Sequence, residues 1–276
     1  MNKIKLAFSV LVLLGFFCLL ACSASDDGGT IEESGGLDGT ELTITAKILK
    51  DKGGDSTTIT KNIFREIANR KGQDYRTVTR IVIKDCISRI GSEAFNGCES
   101  LREVVFGPDI NLIDSSAFAN CISLESMVVP GTVKTIYSST FYNCTSLRSV
   151  TLEYGVRIIG SSAFQGCSNL RDVSIPEGVA EIGDSAFSGC INLQEVTIPS
   201  IVISIGEYAF RCENLESVIV MAIMPPTLPS FNGLFEYTPN YCKICVPAES
   251  VEKYKSSWRG YLDWYNFSDK IYPIEN

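Results

Sequence analysis

Apolar residues between positions 78 and 220 fall in a frame that returns every 23 residues: I-x-x-x-A-F-x-x-C-x-x-L-x-x-V-x-I-P-x-x-V. Isoleucine stands at 90, 113, 136, 159, 182 and 205, and phenylalanine at 95, 118, 141, 164, 187 and 210. Leucine stands at 101, 124, 147, 170, 193 and 215, and valine or methionine at 104, 127, 150, 173, 196 and 218. Cysteine holds 98, 121, 144, 167 and 190, then Cys212 arrives one residue early, because Phe210-Arg211-Cys212 lacks one residue of F-x-x-C. A partial unit, Val78 to Ile83, precedes the full ones. Internal repeats at such a period mean stacked coils, each burying the apolar side of its neighbour.

Within a unit, L-x-x-V-x-I alternates with period two and predicts a short strand. Pro130, Pro176 and Pro199 follow it directly, where a missing N–H ends the ladder. The G-S-x-A-F stretch predicts one helical turn, with Ser92, Ser161 or Asp184 as its cap. One strand and one turn per coil make an α/β solenoid with a parallel sheet on one face. Strands about 4.8 Å apart, roughly seven of them, give a sheet on the order of 30 Å along the axis.

A solenoid needs covered ends. ELTITAKILK (41–50) alternates and predicts a strand, DKGGD a turn. TKNIFREIANRKG (60–72) predicts a helix with Ile63, Phe64, Ile67 and Ala68 on one face, Thr60 as N-cap and Gly72 beyond its end. At the other end residues 248–256 predict a short helix. Trp258, Tyr261, Trp264, Tyr265, Phe267 and Tyr272 then crowd the last stretch. They are read as a lid on the last coil, with a sugar-stacking platform as the alternative.

Composition removes whole classes of function. The net charge is −8, against a nucleic-acid groove, which needs a basic face. There is no histidine, so Ser-His and Cys-His pairs and His-containing zinc sites are excluded. No cofactor is expected. MNKIK and LAFSVLVLLGFFCLL form the n- and h-regions of a targeting signal, too short to span a membrane comfortably. Leu19-Leu20-Ala21-Cys22 then resembles a bacterial lipobox, which implies cleavage before Cys22 and acyl chains on it; an ordinary secretory signal is the alternative. SASDDGGTIEESGGLDGT is Gly, Ser, Asp and Glu, a flexible tether whose Ser25-Asp26-Asp27 is similar to acidic surface-export signals of some lipoproteins. The expected organisation is signal peptide 1–21, tether 22–40, N-terminal cap 41–77, solenoid 78–220 and C-terminal cap 221–276.

The repeat frame resembles the BspA-like leucine-rich repeat class of bacterial surface lipoproteins, across roughly residues 78–220. MAIMPPTLPSF and ICVPAESVEKYKSSW look like the closing segment of such proteins. The resemblance implies a leucine-rich repeat-like fold and a non-catalytic adhesion module. It also implies exposure on the cell surface and contact with a host or bacterial surface protein or glycan, and with the lipobox the expectation is a protein anchored to the outer membrane by lipid on Cys22.

A cysteine at one place in every coil stacks on its own copies. It reads as a small apolar side chain in a crowded bend. Bridging range is met between coils, but parallel side chains are poor geometry for disulfides and do not converge on a metal. Cys242 and Cys245 in YCKICV form a C-x-x-C that reads as strand, with the two thiols on opposite faces.

The x positions of L-x-x-V-x-I point outward and carry the candidate binding face. It comprises Arg80, Arg102, Glu103, Glu125, Arg148, Thr151, Arg171, Asp172, Ser174, Gln194, Glu195, Thr197 and Glu216. The competing reading is a solvated face with cross-strand pairs such as Arg102–Glu125–Arg148, each worth at most about 1 kcal/mol. Asp172 beside Glu195 has the spacing, about 5 Å, of a retaining glycosidase or a weak calcium site, but an open sheet offers no pocket to exclude water. A scaffold lipoprotein of the outer membrane is the alternative to a binding module; a glycan-degrading enzyme is a remote one.

Overall fold

The computed structural model describes residues 41–51, 53, 55–84, 86–228, 234, 238–262 and 268–274, without the side chains of 260–262 and 268. The signal, tether, Cys22, Trp264, Tyr265 and Phe267 readings therefore lie outside the described residues, as does that for the Tyr261 side chain.

Each 23-residue unit is one coil of a stack built from two strand columns and a column of turns. The first column comprises β1 (Glu41–Ile44), β3 (Arg80–Ile83), β5 (Glu103–Val105), β7 (Ser126–Val129), β9 (Ser149–Leu152) and β11 (Asp172–Ser174). It continues with β13 (Glu195–Ile198), β15 (Ser217–Val220), β16 (Lys243–Val246) and β17 (Ile271–Pro273). All pairs are parallel, in the register of the repeat: Arg80 opposite Glu103, Ser149 opposite Asp172. Glu195 pairs with Ser217, so the residue missing before Cys212 is absorbed outside the strands. The column is not the continuous sheet expected. It falls into three ladders, β1-β3-β5, β7-β9-β11 and β13-β15-β16-β17, with splits between β5 and β7 and between β11 and β13.

The second column was not anticipated. Two-residue strands β2 (Thr58–Ile59), β4 (Arg89–Ile90), β6 (Leu112–Ile113), β8 (Thr135–Ile136), β10 (Ile158–Ile159), β12 (Glu181–Ile182) and β14 (Ser204–Ile205) pair in parallel as β2-β4-β6 and β8-β10-β12-β14. Each ends on the buried repeat isoleucine.

The A-F-x-x-C segment closes the coil. Alternate amides bond back three residues within the coil, as Ala94 to the Gly91 carbonyl (3.1 Å) and Cys98 to Phe95 (3.1 Å). The amides between them donate to the next coil, as Phe95 to Ala117 (2.8 Å) and Gly97 to Ala119 (2.9 Å). This alternation needs left-handed residues at fixed places, occupied by Glu93 and Gly97, Ser116 and Asn120, Ser139 and Asn143, Ser162 and Gly166, Ser185 and Gly189. Gly and Asn enter that region most readily. The expected caps serve the neighbouring coil instead. Ser92 Oγ donates to the Ser115 carbonyl (3.0 Å), and Asp184 Oδ1 accepts from the Glu207 amide (2.8 Å).

Inside, every repeat Ile, Phe, Cys and Leu is buried. Phe118, Phe141, Phe164, Phe187 and Phe210 stack with centroids 5.3–5.5 Å apart and rings 4–7° from parallel. Burial of each ring contributes about 1.5–3 kcal/mol, with offset stacking adding to it.

At the N-terminal end, β1 is followed by helix α1 (Ala46–Asp51), not by more strand. Continued alternation would have turned Lys50 inward and Leu49 outward. The helix buries Leu49 instead, and Thr45 Oγ1 accepts the Ile48 amide (3.3 Å) at its start. Helix α2 (Lys61–Arg70) is capped by Thr60, which accepts from the Ile63 amide (3.4 Å), and it buries Phe64, Ile67 and Ala68. Phe64 meets Phe95 edge-on at 4.8 Å. Lys61 pairs with Glu93, holding that carboxyl below its ordinary range. At the other end helix α3 (Val251–Leu262) places Tyr254 and Trp258 over the last coils. The Tyr254 hydroxyl donates to Ala222 (2.7 Å) and the Trp258 indole N–H to Pro226 (3.1 Å). Trp258 is thus a lid residue, whereas Tyr272 is exposed.

Candidate binding face

Alternation along β3 to β15 sends one set of side chains inward and the other to solvent. Arg102, Glu103, Glu125, Arg148, Thr151, Arg171, Asp172, Ser174, Gln194, Glu195, Thr197 and Glu216 are exposed and Arg80 is half-exposed, all on the outer side of the first column. Arg80 bridges two strands, to Glu41 (2.6 Å) and Glu103 (2.9 Å). Those two hydrogen bonds, Glu41's the larger, raise its pKa. The Arg102–Glu125–Arg148 pairing does not form: among the described residues these side chains make no ion pair or hydrogen bond. The split between β5 and β7 separates Arg102 from Glu125. Exposed pairs gain too little to close such a gap.

The second split opens a groove of about 810 Å³, flanked by Arg171, Asp172, Ser174, Gln194, Glu195 and Thr197, with Val173 and Ile175 behind them. No sequence signal marked it. Asp172 and Glu195 do share it, as equivalent residues of adjacent coils, and Glu195 accepts from Ser217 Oγ (2.8 Å). Both carboxylates are exposed, so nothing around them excludes water from a bond to be cleaved, as a glycosidase requires. Among the described residues no three His, Cys, Asp or Glu side chains gather closely enough to hold a metal ion.

The repeat cysteines lie far from this face. Cys98, Cys121, Cys144, Cys167, Cys190 and Cys212 are free and buried. From Cys121 onward each thiol donates to the carbonyl of the phenylalanine one coil back, at 3.1–3.3 Å. Burial pushes the Cys121, Cys144 and Cys190 thiols well up and Cys212 to about 12, so thiolate chemistry is suppressed. Cys242 is buried and Cys245 partly exposed, on opposite sides of their segment, and burial raises Cys242 to about 12.

The profile of the BspA type leucine rich repeat region matches residues 57–164 and 134–257, in six copies. The chain belongs to this family. Among solved structures it is similar to a leucine rich repeat protein of T. pallidum, with 26% identity, TM-score 0.49, and 69% of this chain and 78% of that one covered. It is also similar to a leucine-rich repeat protein from Bacteroides ovatus, with 18% identity, TM-score 0.49, and coverage of 79% and 68%. A third is the pneumococcal vaccine antigen PcpA, with 17% identity, TM-score 0.37, and coverage of 72% and 68%. A comparison with curated proteins returns no match.

Proposed function

We propose that the chain is a non-catalytic binding module of the bacterial surface, held to the outer membrane by lipid on Cys22, that captures a protein or glycan partner through the outer side of its first strand column. The observation that carries this reading is a row of charged side chains with no work to do inside the protein. Arg102, Glu125, Arg148, Arg171 and Asp172 are exposed, and their side chains have no hydrogen-bond or ion-pair partner among the described residues. Membership of a repeat family of generally surface or interaction proteins supports it. Repeated coils supply an extended surface of this kind, and function is carried by the residues grafted on it.

Two measurements test the reading. Protease applied to intact cells should remove the domain while a periplasmic marker survives. Survival of the domain until the outer membrane is broken would overturn the surface assignment and favour an envelope scaffold. Capture of matrix proteins and glycans by the purified mature protein should be lost on replacing Arg102, Arg148 and Arg171 together by Ala; unchanged capture would remove the partner from this face.

A further inference from the structure

The backbone of the face parts between β11 and β13 as it does between β5 and β7, and the β11–β13 groove differs from the other split in its side chains. Within the ladders of this column the amide just before a strand donates to its equivalent one coil back: Arg148 to Glu125 (2.9 Å), Arg171 to Arg148 (3.0 Å), Glu216 to Gln194 (2.7 Å). At the step between them the Gln194 amide and the Arg171 carbonyl form no such bond among the described residues. On either side of the opening the next backbone bonds between the two coils are Asn192 donating to Ser168 (3.2 Å) and, beyond the bend at the second strand column, Ile203 donating to Ala180 (2.9 Å). It is a slot, on the order of 16 Å long for five extended residues, not a free sheet edge. Val173 beside it is only half-buried, where its counterparts Val150 and Val196 are 2% and 1% exposed.

The chemistry around the slot is narrow. Gln194 and Thr197, with the open amide and carbonyl, offer donors and acceptors that the protein does not use. Two carboxylates, Asp172 and Glu195, outnumber one guanidinium, Arg171, and this excess of negative charge disfavours an anion. The bonds on either side of the opening stop a polypeptide from threading through as an added strand. A groove near 800 Å³ is of small-ligand size. A compact, uncharged molecule with hydrogen-bonding groups all round its edge satisfies these conditions, and a sugar is such a molecule. We propose that the slot between β11 and β13 binds a short segment of neutral glycan, its hydroxyls bonding the bare Gln194 amide, the Arg171 carbonyl and the flanking side chains. This rests on the reading of the face as a binding surface and names the ligand class at one place on it. The split between β5 and β7 shares the parted backbone, with the Glu125 amide and Arg102 carbonyl likewise unbonded among the described residues and Val104 half-buried, but Val105 and Val128 stand where the slot has Ser174 and Thr197, so it serves as a control for the side chains.

The test is saturation-transfer NMR and calorimetry on the mature full chain. The probes are maltotriose, mannotriose and triacetylchitotriose, with 3′-sialyllactose as the anionic probe and the blocked tetrapeptide Thr-Val-Thr-Val as the strand probe. At least one neutral trisaccharide should bind, sialyllactose should not, and Gln194→Ala with Thr197→Ala should weaken binding at least tenfold with an unchanged melting curve. Val128→Ser should have no effect. Silence from all three neutral sugars, undiminished binding by the double variant, or preference for the anionic sugar or the peptide would each overturn the assignment. If the sugars fail while protein capture still depends on the three arginines, the glycan slot falls and the binding face stands. If both fail, the binding face falls too.

Discussion

The Cys144 thiol donates to the carbonyl of Phe118, one coil back, at 3.1 Å. That carbonyl also accepts the Cys121 amide of its own coil, at 3.2 Å. The thiol therefore engages an acceptor the turn has already used once, and it does so while wholly buried. The repeat cysteine is both filler and donor, which explains why alanine, equally small and apolar, does not take its place.

Cys144→Ala should lower stability by about 1–2 kcal/mol, the sum of a weak hydrogen bond and a small void. Urea unfolding checks this; an unchanged midpoint would show that the bond contributes nothing.

Buried thiols make the fold sensitive to alkali. An unfolded thiol ionises near 9, whereas Cys212 and Cys242 are held protonated to about 12 and Cys121, Cys144 and Cys190 are also raised. A raised native pKa stabilises fully below the unfolded value and is lost as pH climbs toward the native one. The thiols' contribution to stability should thus be level below pH 9 and fall above it, by about 1.4 kcal/mol per pH unit per thiol. Urea midpoints at pH 8 and pH 10.5 should differ, and Cys212→Ala should shrink the difference.

Two glycines separate conformational cost from collision. Gly97 has φ +76 with open space where a Cβ would stand, so Gly97→Ala should cost only about 1 kcal/mol. Gly155 has φ +135, and its Cβ would overlap the Gly131 carbonyl oxygen. Gly155→Ala should cost upwards of about 3 kcal/mol. Equal melting temperatures for the two variants would contradict the coil-to-coil contact at Gly131.

Phe164→Ala should cost about 3–5 kcal/mol, because the ring stacks on both Phe141 and Phe187 at 5.3 Å. Trp258→Ala should act differently. It removes the lid and its bond to Pro226, so amide exchange should quicken first around Val218 and Val220 and little near Ile90. Uniform loss of protection in Trp258→Ala would mean that the end coils do not open by themselves.

Cys22→Ser should abolish incorporation of labelled fatty acid and release the protein from the membrane fraction. Persisting label would move the anchor elsewhere.

The two-residue alternation of S-V-T-L or E-V-T-I made the long strands, their inward valines and the outer row from Arg80 to Glu216 legible. The helix at 61–70 was legible because Thr60 and the Phe64–Ile67–Ala68 spacing are local signals. Other features depend on how one coil sits on the next. The strand pair at Ile158–Ile159 is too short to show a period, although its isoleucine column was visible. Helix α1 was hidden because ELTI alternates and the break comes only at Thr45. The slot was invisible: β9, β11 and β13 read S-V-T, D-V-S and E-V-T, and nothing in those letters says which neighbours part. Likewise Cys144 is nearest in sequence to Phe141, yet its thiol bonds Phe118.

The Phe141, Phe164 and Phe187 rings meet at one spacing and nearly one angle, so an inner coil does not distinguish the coil before it from the coil after. A gene that gains or loses one whole 23-residue unit here would leave every remaining contact of the same kind. Only α2 and α3, with Phe64 and Trp258, face something unlike themselves. Lineages can therefore lengthen or shorten the exposed surface in discrete steps while both ends stay as they are.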